Sequence, residues 1–367
     1  MASPRPRPGI LEITPYVGGK AKSASAKPPA KLSSNECPLG PSPKALAAYH
    51  ATAAVLHRYP DGHSTELRKA IGRRHNLDPE LIVCGAGSDE LIALLIRAYA
   101  GPGDEVLYSR HGFLIYGIQA LAAGAHPVTA PERNLTADVD ALLAHVTSRT
   151  RLVFLANPNN PTGTYLPAGE LERLRAGLPP EVLLVIDAAY AEYADAPDYA
   201  SGIELARRTP NTIMLRTFSK LFGLAALRLG WMTAGPAIID VMNRVRGPFN
   251  VPLPAQTAGV AALDDLEHQE AARALNARWL PWLSRELRAL GLTVHPSLAN
   301  FILVDFPNEP GRDATAACAF LDAEGILVRQ VGAYGLPDSL RITIGLEEDN
   351  RRVAAALAAF VAKSPAP

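Results

Sequence analysis

Val182-Leu183-Leu184-Val185-Ile186-Asp187 sets five apolar residues before a single carboxylate. A run so short and so apolar reads as a strand covered on both faces. Similar runs recur at 81–84, 105–108, 126–129, 151–156, 212–216 and 228–234. Helical patterns at 66–75, 89–100, 137–146 and 168–176 lie between several of them. Strands that alternate with helices predict a mostly parallel sheet flanked by helices on both sides.

On either side of this block the texture changes. The first forty-odd residues lack regular periodicity; residues 20–31 are rich in Ala, Ser, Lys and Pro, and Pro38, Pro41 and Pro43 stiffen the chain just beyond. That composition predicts an extended arm. After Pro254 a long Ala- and Leu-rich helical stretch runs to about residue 290. Strand-like runs at 301–305, 327–329 and 340–344 then alternate with helices, the last over 347–363. The expected organisation is α/β: an arm over 1–45 that joins a smaller α+β domain over 253–367, and a large domain over 46–252.

Composition narrows the function. The 367 residues are 48% hydrophobic and 20% charged, the balance of a folded globular chain. The formal net charge of zero supplies no field for nucleic acid or an anionic membrane. Cys37, Cys84 and Cys318 are scattered and odd in number, with neither disulfide nor metal-ligand spacing. No apolar run approaches a membrane span, and residues 1–8 alternate Pro and Arg without the apolar core of a secretory signal. These features predict a cytoplasmic enzyme without a metal.

Lysine usage carries the first chemical clue. Between Lys69 and Lys363 the only lysine is Lys220. Arginine cannot replace a lysine that must lose its proton and attack a carbonyl, and a lysine that forms a Schiff base is one such case. Thr217-Phe218-Ser219-Lys220 follows an apolar run, which puts the amine at the carboxyl end of the sheet, where open α/β folds bind ligands. Thr217, Ser219 and Arg228 are placed to hold a phosphate there.

Asp187 needs a partner after five apolar neighbours. Alone it reads as a cap or a structural ion pair; beside Lys220 it suits the ring nitrogen of a pyridine cofactor, with the Tyr190 phenol on the ring hydroxyl. Asn160, in the turn Asn157-Pro158-Asn159-Asn160-Pro161-Thr162-Gly163, would offer that hydroxyl an amide. Gly85-Ala86-Gly87-Ser88-Asp89-Glu90 joins a strand to a helix and can meet a phosphate through backbone N–H groups, although Asp89 and Glu90 repel one. Glu90 stands where a dinucleotide fingerprint would have its third glycine. Phe113 is a candidate stacking face, and Tyr116 reads as core.

In order, Asn160, Asp187, Tyr190, Ser219-Lys220 and Arg228 resemble the fold-type I, aspartate aminotransferase-like pyridoxal phosphate enzymes. Pro15-Tyr16, Ser34-Asn35-Glu36, Pro38-Leu39-Gly40-Pro41-Ser42-Pro43, Arg58-Tyr59-Pro60-Asp61-Gly62 and Leu340-Arg341-Ile342 are similar to the pattern of the histidinol-phosphate aminotransferases among them. The resemblance spans nearly the whole chain. It implies pyridoxal 5′-phosphate joined to Lys220, with Asp187 on the ring nitrogen, Asn160 and Tyr190 on the ring hydroxyl and Phe113 on the ring face. Ser88, Asp89, Glu90, Thr217, Ser219 and Arg228 would surround the phosphate. It further implies a homodimer in which Tyr59 reaches the neighbouring subunit's phosphate. Arg341, Arg329, Asn35 and Asn160 would bind the substrate, and Tyr16 would close over it.

The implied reaction passes an amino group from L-histidinol phosphate to 2-oxoglutarate. An aromatic amino acid aminotransferase is the nearest rival, because an arginine that grips a phosphate also grips a carboxylate. A threonine-phosphate decarboxylase is a more distant one. Three positions depart from the pattern: Cys37 where Asn is usual, on the substrate side, Ala188 where Glu is common, and Gly18 where Pro is usual.

Overall fold

In the computed structural model, which describes residues 4–23 and 25–363, seven strands form one sheet. Across it the order is Ile82–Gly85, Gly230–Thr233, Thr212–Thr217, Leu183–Asp187, Thr150–Ala156, Glu105–Ser109 and His126–Ala130. The run from Thr212–Thr217 to His126–Ala130 is parallel, and Gly230–Thr233 alone runs against its neighbours.

The alternation of side chains along a strand explains the double cover. Leu183 and Val185 pack on one face with Leu91, Ile92 and Leu95 of the helix Ser88–Tyr99. Leu184 and Ile186 turn to the other, against Leu171 and Leu174 of Ala168–Gly177. Each such side chain contributes about 1.5–3 kcal/mol relative to exposure. A polar substitution on either face therefore breaks the fold, and Asp187 is tolerable only because the strand ends there.

A second, antiparallel sheet of four strands has the order Thr293–Val294, Phe301–Asp305, Leu336–Thr343 and Arg329–Val331. Leu283 and Leu287 of one helix, Ala317 and Leu321 of a second, and Val353 and Leu357 of the C-terminal one bury its outer face. The arm is stitched to this part: Ala30–Lys31 pairs in parallel with Ile326–Leu327, and Leu32 accepts from the Thr343 N–H at 3.0 Å.

The helical stretch read after Pro254 consists of two helices, Leu253–Asp264 and Leu266–Ala289, divided where Asp265 leaves the helical region at φ −94°, ψ 73°. Its carboxylate lies 3.5 Å from the Lys44 amine. The first of the two helices packs Ala255, Ala258 and Ala262 in the core that also holds Leu67 and Phe218. Among the described residues no helix is long and apolar enough to cross a membrane, and no His, Cys, Asp or Glu cluster could hold a metal ion.

Candidate active site

The loops that leave the carboxyl ends of the parallel strands converge on a cavity of about 290 Å³, closed from above by the arm and by Arg329 and Arg341 of the smaller sheet. Asp187 lies on its floor, 5% exposed. Oδ2 accepts from the Tyr116 hydroxyl at 2.8 Å, while the equally buried Oδ1 has no protein partner. Burial pushes the carboxyl up to about 6, against the opposing donation from Tyr116. A buried oxygen without a partner costs stability, which a donor from a ligand would offset.

Lys220 enters from the loop after Thr212–Thr217, and its amine donates to the Ser34 carbonyl at 3.2 Å. Burial of the amine, reinforced by Arg341, holds it down to about 8, so a free amine is accessible near neutrality. The Lys220 Nζ lies 5.7 Å from the centroid of the Tyr190 ring, and burial keeps the Tyr190 phenol protonated. Across the cavity Asn160 accepts from Arg341 through Oδ1, which leaves its amide N–H groups for the cavity. Arg341 also donates to the Ser33 carbonyl at 2.8 Å, and its buried Nε has no partner.

An anion cradle stands at the far end. Arg228 reaches Ser219 Oγ at 3.4 Å and Asp89 at 3.0 Å, and Ser219 takes a hydrogen bond from Thr217 at 3.0 Å. The helix Ser88–Tyr99 aims its N-terminus here. Gly87, at φ 80°, leaves room for the guanidinium: a Cβ there would sit 2.6 Å from Arg228 Nη2. Arg228 itself holds φ 51°, a strained value for a residue with a side chain and one that clusters at functional sites.

The family model for aminotransferase class I and II matches residues 27–357. A histidinol-phosphate aminotransferase of Rhodospirillum centenum is 61% identical over 97% of this chain and 98% of its own length. The chain belongs to the histidinol-phosphate aminotransferases. A second, from Paramagnetospirillum magneticum, is 59% identical over 98% of this chain and 99% of its own. The crystal structure of the Sinorhizobium meliloti histidinol-phosphate aminotransferase with pyridoxal 5′-phosphate superposes with a TM-score of 0.88, at 30% identity over 96% of each chain. A Thermus thermophilus aspartate aminotransferase variant, 24% identical over 91% of this chain and 97% of that one, shares the fold with a TM-score of 0.79. The aspartate aminotransferase-like architecture that the resemblance implies is therefore the one observed.

The residues of this aminotransferase fit pyridoxal 5′-phosphate. The unpartnered Asp187 Oδ1 suits a protonated ring nitrogen, the cradle around Arg228 suits a phosphate, and Phe113 lines the wall between them. Lys220, Asp187, Tyr190, Asn160, Ser88, Asp89, Thr217, Ser219, Arg228, Arg329, Arg341, Tyr16 and Asn35 all reach the cavity. Tyr16 is half exposed, with its ring edge-on to Phe113 at 6.5 Å and Arg329 over its face at 5.7 Å.

Two expectations are corrected. Glu90 does not reach the cavity: its carboxylate is held by the Ala86 N–H at 2.6 Å and the Asn250 amide at 2.8 Å, so it braces the loop from behind. Cys37 is buried in the core with Phe222 and Tyr193, away from the substrate side, and burial pushes its thiol up. Ala188 is wholly buried in the same core, whereas Gly18 lines the cavity with nothing within 4 Å of a Cβ placed there. Tyr59 lies outside its own cavity, 82% exposed and stacked on Phe249 at 4.6 Å.

The sequence reading missed the bond from Tyr116 to Asp187 and the role of Thr343 beside Asn35. For Tyr116 a signal existed, since it stands only three residues from Phe113, the candidate stacking face. Thr343 had none.

Proposed function

We propose that this aminotransferase passes the amino group of L-histidinol phosphate to 2-oxoglutarate, giving imidazole acetol phosphate and glutamate. The observation that carries the proposal is one cavity with a depressed lysine, a buried carboxylate with a free oxygen and separate cationic groups at its two ends. When bound, pyridoxal 5′-phosphate supplies an aldehyde for an amine and a protonated ring that accepts electron density from the carbon losing its proton.

Lys220, whose amine is free near neutral pH, would hold the cofactor covalently and, as a free amine, would accept and return a proton. Asp187 would keep the ring nitrogen protonated through Oδ1, with Tyr116 fixing the carboxylate. Tyr190 and Asn160 would donate to the ring oxygen, Phe113 would pack on the ring, and the Arg228 cradle with Ser88, Thr217 and Ser219 would hold the cofactor phosphate. Arg341, with Arg329 beside it, receives the phosphate of the donor and then the carboxylate of the acceptor, since a guanidinium fork suits both. Tyr16, on the arm, shields the bound substrate from water.

The active unit is a homodimer. Leu46, Tyr49, Leu56, Tyr59 and Phe249 are exposed apolar side chains that a second copy would cover, and Tyr59 would then reach that copy's phosphate. Three free thiols suit the cytoplasm. The test is glutamate formation from 2-oxoglutarate with L-histidinol phosphate, phenylalanine or tyrosine as donor. A kcat/KM highest for histidinol phosphate supports the proposal; a higher value for an aromatic amino acid overturns the substrate, and no transfer with any donor overturns the reaction.

A further inference from the structure

Ser33-Ser34-Asn35 touches three of the cavity's polar residues in succession. The Ser33 carbonyl accepts from Arg341 at 2.8 Å, the Ser34 carbonyl from Lys220 at 3.2 Å, and Asn35 Nδ2 donates to the Tyr190 hydroxyl at 2.9 Å. The first two contacts come from the backbone and tolerate substitution. The third depends on the identity of the side chain.

Its donor direction is fixed by the surroundings. The Asn35 N–H donates to Thr343 Oγ1 at 3.0 Å, so that hydroxyl spends its hydrogen on Asn35 Oδ1, also at 3.0 Å. With Oδ1 turned to Thr343, only Nδ2 can face Tyr190. The Asn35 carbonyl is held by Asn300 at 3.1 Å, and the residue sits at φ 56°, a region Asn enters more readily than most residues. Asn35 is 1% exposed and Tyr190 4%, and Phe301 clamps the phenol ring edge-on at 5.3 Å.

A phenol oxygen that accepts from Asn35 is left with its own hydrogen to donate, and no hydrogen bond from it to another described residue is seen. Tyr190 lines the cavity, so that hydrogen is available to an acceptor there. We infer that Asn35 is a positioning residue that acts through Tyr190: held by Thr343, it makes Tyr190 a donor towards the ring oxygen of the cofactor. The inference rests on the proposed cofactor role of Tyr190 and moves Asn35 from the substrate to the phenol. Because Thr343 belongs to the smaller sheet and Asn35 to the arm, the same chain ties the direction of one proton to the seating of both.

Asn35→Asp tests this, because a carboxylate of the same shape can only accept. Tyr190 would then donate to residue 35 and cease donating to the cofactor. A ring oxygen without that donor holds a shared proton more tightly, so the pH midpoint of the bound cofactor's visible band rises. We expect a rise of about one pH unit, a tenfold change in proton affinity, with cofactor affinity weakened about tenfold by the lost donor. A new negative charge would also raise the midpoint, so the variant is repeated in a Tyr190→Phe background. A shift that disappears there supports action through Tyr190; a shift of full size there, or no shift in either background, overturns it.

If Asn35→Asp fails to fold, Thr343→Val, which frees the amide to turn, is read by the same two criteria. Absence of any visible band in the unaltered protein would instead count against the proposed function, so the two failures are distinct.

Discussion

The Tyr116 hydroxyl donates to Asp187 Oδ2 at 2.8 Å, and it leaves Oδ1 of this cavity-lining carboxylate without a protein partner. Tyr116 is wholly buried, stacked on Phe154 at 4.6 Å and edge-on to Phe113 at 5.9 Å. The carboxylate is thus aimed by a ring that cannot move without disturbing the wall of the cavity. Tyr116→Phe keeps the packing and removes only the donor. A hydrogen bond to a charged group contributes about 1.5–3 kcal/mol, so kcat should fall about tenfold or more. Wild-type kcat in that variant would reject the aiming role.

Asp187 also makes stability depend on pH in the cofactor-free protein. Its folded value of about 6 lies above the ordinary 3.8. Between those values the folded chain holds a proton that the unfolded chain has released, so stability falls as pH rises, by ~3 kcal/mol once pH exceeds the folded value. Asp187→Asn removes this penalty. The cofactor-free variant should melt at a higher temperature than wild type at pH 7.5, and the two should converge below pH 4. Equal melting temperatures at pH 7.5 would show that the carboxylate is not buried uncompensated. With cofactor supplied the order should reverse, because the variant no longer offers an anion to the ring nitrogen.

Lys220 gives a second pH signature. Its amine is held down to about 8 from the ordinary 10.5, so the nucleophilic form appears about two units earlier than on an exposed lysine. The rate at which added pyridoxal phosphate joins the cofactor-free protein should climb through pH 8 and level off above it. An inflection near the ordinary value would contradict the environment described. Lys220→Ala should give no visible covalent band at any pH, and retained turnover in it would remove the lysine from the chemistry.

In the proposed reaction Arg341 would serve both half-reactions. Nearly buried, with Nε unpartnered, it has donor capacity to spare even after engaging Asn160 and Ser33. Arg341→Ala should raise KM for the phosphate donor and for 2-oxoglutarate together, each by about tenfold to a hundredfold, since a charge-assisted pair is lost in both. A change confined to one substrate would assign the other's anion elsewhere, with Arg329 the nearest guanidinium of the cavity.

Much of this was legible in the chain because the signals were local. Five apolar residues before Asp187 announce a buried strand whose end meets the ligand crevice, and a lone lysine after the next strand marks the same edge. What escaped was set by partners distant in sequence. The direction of Glu90 is set by Asn250, 160 residues away, and the donor face of Asn35 by Thr343, 308 residues away. Cys37 was misread for a related reason: its place beside a site motif says nothing of which way the side chain turns, and it turns into the core.

The central claim is tested most directly by titrating the visible band of the cofactor-loaded protein with L-histidinol phosphate, phenylalanine and tyrosine in turn, without a keto acid. The account predicts that histidinol phosphate converts the band at the lowest concentration and that adding 2-oxoglutarate restores it. A band that converts more readily with phenylalanine or tyrosine, or that histidinol phosphate leaves unchanged, would contradict it.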